Sequence, residues 1–79
     1  MIKMLTCFIL IRVEAKKEDE VYDHLVKVKE IEGIREVFGE YDMICRMEAR
    51  NLKEMRALVI QKVRSVPGVI STTTLITSE

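Results

Sequence analysis

The sequence contains few of the residues that usually cross-link a small domain or act in catalysis. Its two cysteines, Cys7 and Cys45, are far apart, and no CxxC or Cys/His cluster exists to bind zinc or form a redox motif. The one histidine, His24, has Glu20 and Val28 four residues away on a predicted helix, which supply neither a metal set nor a catalytic triad. We therefore expect no metal, no cofactor and no catalytic residue.

An excess of charge and a long apolar run are also missing. Thirteen Lys and Arg residues balance thirteen Asp and Glu residues and are interspersed with them, so no basic patch for nucleic acid or anionic lipid is present. The apolar run near the N-terminus spans only about ten residues, too short for a membrane span, and has no small-residue cleavage site. These features predict an unprocessed cytoplasmic protein that contacts neither DNA nor a membrane directly.

Hydrophobic spacing predicts one domain over residues 1–79, with four strands. The first predicted strand has apolar residues at both odd and even positions, which is typical of a strand covered on both faces. The last predicted strand is rich in threonine, a residue that is common in strands. A Gly-containing tight turn separates the second and third strands. The predicted strands are Met4–Val13, Ile34–Phe38, Met43–Glu48 and Val69–Thr77.

Two helices are predicted between these strands. The first has Val21, Leu25 and Val28 on its buried face, three acidic residues in its first turn, and Gly33 after its end. The second starts at a capping box formed by Asn51 and Glu54. Its predicted buried stripe is Leu52, Met55, Val59 and Val63, and Pro67-Gly68 terminates it.

The order strand, helix, strand, strand, helix, strand predicts an α+β, ferredoxin-like βαββαβ fold, in which an antiparallel four-stranded sheet carries both helices on one face. The first strand would then turn Cys7 and Ile9 to one face of the sheet and Phe8 and Leu10 to the other. Since the helices cover only one face, the second apolar set needs another protein surface. We therefore predict a homodimer formed through the sheets.

Two short motifs offer polar groups for a ligand. Gly39, Tyr41 and Asp42 lie in the predicted hairpin turn, where Gly leaves backbone N–H groups available and Asp42 adds a carboxylate. Thr72 and Thr74 lie on one face of the last strand. Such a turn and such a threonine run are each common without any ligand. Together they could hold a zwitterion, with Asp42 accepting from the ammonium group and the hydroxyls or loop N–H groups binding the carboxylate.

The same residues resemble a known family. The hairpin G-x-Y/F-D (Gly39, Tyr41, Asp42), followed by P-G-V-x-x-T-x-T from Pro67 to Thr74, is similar to the effector-binding domain of the Lrp/AsnC transcription regulators, also called the regulation-of-amino-acid-metabolism module. The resemblance covers essentially the whole chain. It implies dimers assembled into even-numbered rings, with an amino-acid effector bound between dimers by the hairpin loop and the last strand.

The chain starts in the first strand, where the regulators of this family carry a helix-turn-helix domain, so we expect a stand-alone module without direct DNA binding. It would either sense an amino acid for a full-length Lrp/AsnC regulator by mixed assembly or act alone as a binding protein. Two other classes remain open: a small dimeric α+β-barrel enzyme, for which His24 is the obvious titrating group, and a structural or adaptor oligomer.

Overall fold

The computed structural model describes residues 4–77. Its elements follow the predicted order: β1 (Leu5–Val13), α1 (Glu18–Val26), β2 (Ile31–Glu36), β3 (Met43–Ala49), α2 (Leu52–Leu58) and β4 (Val69–Ile76). A π-helical segment, Val59–Arg64, continues α2 without a break. The four strands form one antiparallel sheet in the order β2-β3-β1-β4. The predicted ferredoxin-like fold is therefore confirmed.

The core lies between the sheet and the helices. In β1 and β3 the burial of side chains alternates, because successive residues of a strand point to opposite faces. Cys7, Ile9 and Ile11 of β1 are fully buried against the helices, as are Met43 and Met47 of β3. Cys45 of β3 and Met55 of α2 are buried in the same core.

The face of the sheet away from the helices, which we call the open face, carries a mixed set of side chains. Phe8 and Leu10 of β1 and Ile44 of β3 are only partly buried here, because nothing in the described chain covers them. Arg46 forms ion pairs across this face with Glu32 and Glu48 at 3.3 and 3.2 Å. The predicted two-sided apolar character of β1 is therefore present in the fold.

The N-terminus of α2 is capped as the sequence predicts, with one difference. Asn51 Oδ1 accepts a hydrogen bond from the Glu54 backbone N–H at 2.9 Å. Glu54 Oε1 accepts from the Arg50 backbone N–H at 2.8 Å, one residue before the position expected for a capping box. This bond, together with the Arg50 guanidinium, lowers the pKa of Glu54.

Three details of the helix predictions were wrong. The first helix ends at Val26, so Val28 lies beyond it and Gly33 lies inside β2, where the pairing with β3 shifts register. That register shift lets Ile31 and Ile34 both pack on the core. Leu52 is 51% exposed and therefore lies outside the buried stripe of α2.

Candidate functional site

The loop between β2 and β3, residues 37–42, contains a turn that depends on glycine. Gly39 has φ +112°, a conformation that residues with a Cβ rarely adopt, and an added Cβ there would meet nothing within 4 Å. The Val37 backbone N–H donates to the Asp42 carbonyl at 2.9 Å and closes the loop. Phe38, between Val37 and Gly39, is fully exposed. The loop is thus a defined turn with an uncovered aromatic ring beside its tip.

Asp42 attaches this loop to the end of β1. Its backbone N–H donates to the Ile11 carbonyl at 2.9 Å, and its Oδ2 accepts from the Val13 backbone N–H at 2.8 Å. Val13 is where the pairing of β1 with β4 shifts register, so the carboxylate satisfies a nearly buried N–H at an irregular point of the sheet. The bond to Val13 uses Oδ2 of Asp42, so the second carboxylate oxygen, Oδ1, remains as an acceptor.

Tyr41 links the loop to β4 on the open face. Its hydroxyl lies 3.1 Å from Thr73 Oγ1, and either oxygen can donate. Thr73 was not among the predicted site residues, because the alternation of the strand places it on the face opposite to Thr72 and Thr74. The run of three threonines was the available signal, since its middle member must point to the other face.

Thr72 and Thr74 lie on the helix side of β4, as their pairing with the buried Ile11 and Ile9 requires. The prediction that they share one face is confirmed. They line a groove of about 500 Å3 between α2, the π segment and β4, which we call the α2–β4 groove. Its apolar lining residues are Leu52, Met55, Val59, Ile60 and Ile76, and its basic ones are Arg56 and Arg64.

The structure therefore brings the two sequence motifs to the same end of β1 but not onto a single surface. Asp42 and Thr72 flank Ile11 on opposite sides, one through a hydrogen bond to its carbonyl and the other through strand pairing. Tyr41 reaches the open face, whereas the hydroxyl-bearing groove lies on the helix side. A ligand that contacts all five predicted residues, Gly39 included, must reach around the end of the sheet.

The remaining candidates for chemistry lie apart from these motifs. His24 is exposed on α1. Burial raises the pKa of Cys45 to about 12 and also raises that of Cys7, so both thiols are held in the protonated, unreactive form. Within residues 4–77, no group of three or more His, Cys, Asp or Glu side chains is placed to hold a metal ion, and no helix is long and apolar enough to cross a membrane.

Comparison with known proteins identifies clear relatives. The family model described as the Lrp/AsnC ligand binding domain matches residues 6–79. The HTH-type transcriptional regulator FL11 of Pyrococcus abyssi is 39% identical over 72 residues, covering 91% of this chain and 47% of that protein. The chain spans about half the length of the curated relatives that it matches.

Two solved structures have the same fold at higher mutual coverage. The crystal structure of FFRP-DM1 is 36% identical, with a TM-score of 0.85, and the match covers 92% of this chain and 97% of that one. The hypothetical protein PHS023 from Pyrococcus horikoshii is also 36% identical, with a TM-score of 0.82 and coverage of 92% and 88%. The similarity therefore extends over nearly the whole described domain.

Proposed function

The chain belongs to the Lrp/AsnC ligand-binding domain family, and on this premise we propose that it is a cytoplasmic, non-enzymatic module that binds a free amino acid and serves transcriptional regulation. The observation that carries the proposal is the convergence of both motifs at one end of β1. Asp42 bonds to Ile11 on one side and Thr72 pairs with Ile11 on the other, while Tyr41 reaches Thr73. Asp42 and Thr72 are thirty positions apart in the sequence, and only the pairing of strands in the sheet brings them to the same residue of β1.

The chemistry of this end suits a zwitterion. The second carboxylate oxygen of Asp42 is an acceptor for an ammonium group. Thr72 and Thr74 offer hydroxyls, and Arg56 and Arg64 offer guanidinium groups for a carboxylate. Because Asp42 does not line the groove that holds Thr72 and Thr74, we propose that a second subunit completes the site at this end of β1.

Assembly is part of this proposal. The partly buried Phe8, Leu10 and Ile44 on the open face favour a homodimer formed through the sheets, and pairs of dimers would then build an even-numbered ring. Such a ring could also include a full-length Lrp/AsnC regulator, which would supply DNA binding. An enzymatic role would need a titrating group between helices and sheet, whereas the buried side chains of residues 4–77 that form this core are all hydrophobic.

A thermal-shift screen against the twenty amino acids, run together with light scattering, tests the function. A ligand at about a hundred times its Kd should add about 2.7 kcal/mol per site to the free energy of unfolding. Asp42→Asn should abolish most of that shift, because the amide keeps an acceptor for Val13 but loses the charge that binds ammonium, worth about 1.5–3 kcal/mol.

Thr74→Val should weaken the shift less, since a neutral hydroxyl hydrogen bond contributes about 0.5–1.5 kcal/mol. The oligomeric mass of both variants must equal that of the parent protein for the loss to be assigned to ligand contacts. A full shift in Asp42→Asn, with assembly intact, would show that Asp42 is not the ammonium-binding residue. No shift with any amino acid would refute the proposed function itself.

A further inference from the structure

The π-helical segment turns Arg64 into the α2–β4 groove. In a regular α-helix, side chains eight residues apart, such as Arg56 and Arg64, differ in direction by about 80°. A π turn closes hydrogen bonds between residues i and i+5 and takes up one extra residue, so the side chains after it are rotated back by about 100°. The two arginines then differ by only about 20°, and both line the groove. The π segment therefore places a second guanidinium group beside the groove.

The groove is polar at one end and apolar at the other. Since β3 and β4 are both antiparallel to β1, the helix that connects them runs back along β4. Arg64, at the end of this helix, lies near the start of β4 and Thr72. Leu52, at the beginning of the helix, lies near Ile76 at the end of β4. Arg56 stands between the two ends, about two turns or roughly 11 Å from Arg64 along the helix axis.

Both guanidinium groups are available to a ligand. The side chains of Arg56 and Arg64 are exposed. Among residues 4–77, neither arginine takes part in an ion pair, and no acidic side chain lines the groove. A guanidinium group binds a carboxylate through two parallel hydrogen bonds, which makes it a strong and directional partner for one.

We propose that Arg64 and Thr72 bind the α-carboxylate of the ligand and that the ligand side chain lies along the groove towards Ile76. The site then takes an amino acid with an apolar side chain, because Leu52, Met55 and Ile76 line that end and a charged side chain would lose its hydration there. This inference rests on the proposed function, since it assigns an orientation to the same ligand.

The covalent structure of an amino acid decides which arginine binds the α-carboxylate. The ammonium and carboxylate groups are attached to one carbon atom, so they must lie at the same end of the site. Asp42, the proposed ammonium acceptor, bonds to Ile11, and Thr72 pairs with the same residue. Arg64 lies at this end, whereas Arg56 lies further along the groove. Arg64 is therefore the carboxylate-binding residue, and it reaches the groove because of the π segment.

Calorimetric titration with matched probes tests the role of Arg64. The probes are L-leucine, L-methionine and L-phenylalanine, each compared with its carboxamide at about pH 6, where the amino group of both forms is protonated. The parent protein should bind the free acid roughly ten- to a hundredfold more tightly than the carboxamide. Arg64→Gln should bind the two forms alike, whereas Arg56→Gln should keep the preference. A preference lost in Arg56→Gln and kept in Arg64→Gln would overturn the proposal.

Two controls separate ligand contact from folding. Arg64→Gln should unfold without ligand at the melting temperature of the parent protein, because Arg64 forms no ion pair within residues 4–77. Arg64→Lys should keep part of the preference for the free acid, because an ammonium group retains the charge but cannot form the two parallel hydrogen bonds. Equal loss of affinity for acid and carboxamide in Arg64→Gln would contradict a role in binding the carboxylate.

The screen of the twenty amino acids tests the ligand class and separates this inference from the proposed function. Apolar amino acids should give the largest thermal shifts. If only aspartate and glutamate shift the melting temperature, the side chain pairs with an arginine instead, so the orientation is wrong although an amino acid does bind. If no amino acid gives a shift, the proposed function fails and this inference fails with it.

Discussion

The hydrogen bond from Val13 to Asp42 predicts a stability effect that can be separated from ligand binding. Asp42→Ala removes the carboxylate oxygen that accepts a hydrogen bond from the Val13 backbone N–H at 2.8 Å. Val13 is 6% exposed, so little water can replace the lost acceptor. Leaving such a donor unsatisfied costs about 1–3 kcal/mol.

For a domain of 60–100 residues, each kcal/mol shifts the melting temperature by about 4–8 °C. Asp42→Ala should therefore lower the melting temperature by roughly 4–24 °C. Asp42→Asn should lower the melting temperature much less, because the amide oxygen of Asn can accept the same hydrogen bond. The assay is thermal unfolding followed by circular dichroism, without ligand and at a fixed protein concentration, since oligomerisation makes the midpoint concentration-dependent.

Two outcomes would refute this reasoning. If the melting temperature of Asp42→Asn falls as far as that of Asp42→Ala, the negative charge rather than the hydrogen bond stabilises the loop. If Asp42→Ala unfolds at the temperature of the parent protein, the bond to Val13 contributes nothing measurable. The same comparison decides which variant is suitable for ligand work, because only a variant that keeps its fold can test the proposed contact between Asp42 and a ligand ammonium group.

Three further predictions concern the sheet, the turns and the thiols. Leu10→Lys on the open face should convert the protein to monomers in sedimentation, since it loses about 1.5–3 kcal/mol of burial in each subunit; an unchanged mass would exclude the sheet-face dimer. Gly68→Ala should destabilise more than Gly39→Ala in denaturant titration: both have positive φ, but only at Gly68 would the new Cβ lie 2.9 Å from a neighbouring side chain. Cys7 and Cys45 should resist thiol reagents at pH 8 until the protein unfolds. Equal reactivity of the folded and the unfolded protein at pH 8 would contradict this protection. Because burial raises the pKa of Cys45 in the folded protein from 9.0 to about 12, the contribution of Cys45 to stability should be complete below pH 9 and should decline as the pH rises towards 12.

The sequence alone determined the fold and the family. The spacing of apolar residues in β1 and β3 encodes which side chains face the helices, because a strand alternates its side chains with a period of two regardless of context. Asn51 is a local capping signal that acts within one turn of helix and was predicted correctly. The end of α1 was not predictable in the same way, since Val28 continues the helical spacing although the chain has already left the helix.

The arrangement of the candidate site was decided by tertiary structure. Asp42 and Thr72 become neighbours of Ile11 only because β1 lies between β3 and β4 in the sheet, and no local pattern encodes that strand order. The sequence marked Asp42 as a ligand acceptor but could not show that one of its oxygens is bonded to Val13. The threonine run indicated only that Thr73 faces away from Thr72 and Thr74. It could not show that Thr73 would meet Tyr41, because contacts between distant residues depend on how the strands pair and not on the residues next to them in the chain.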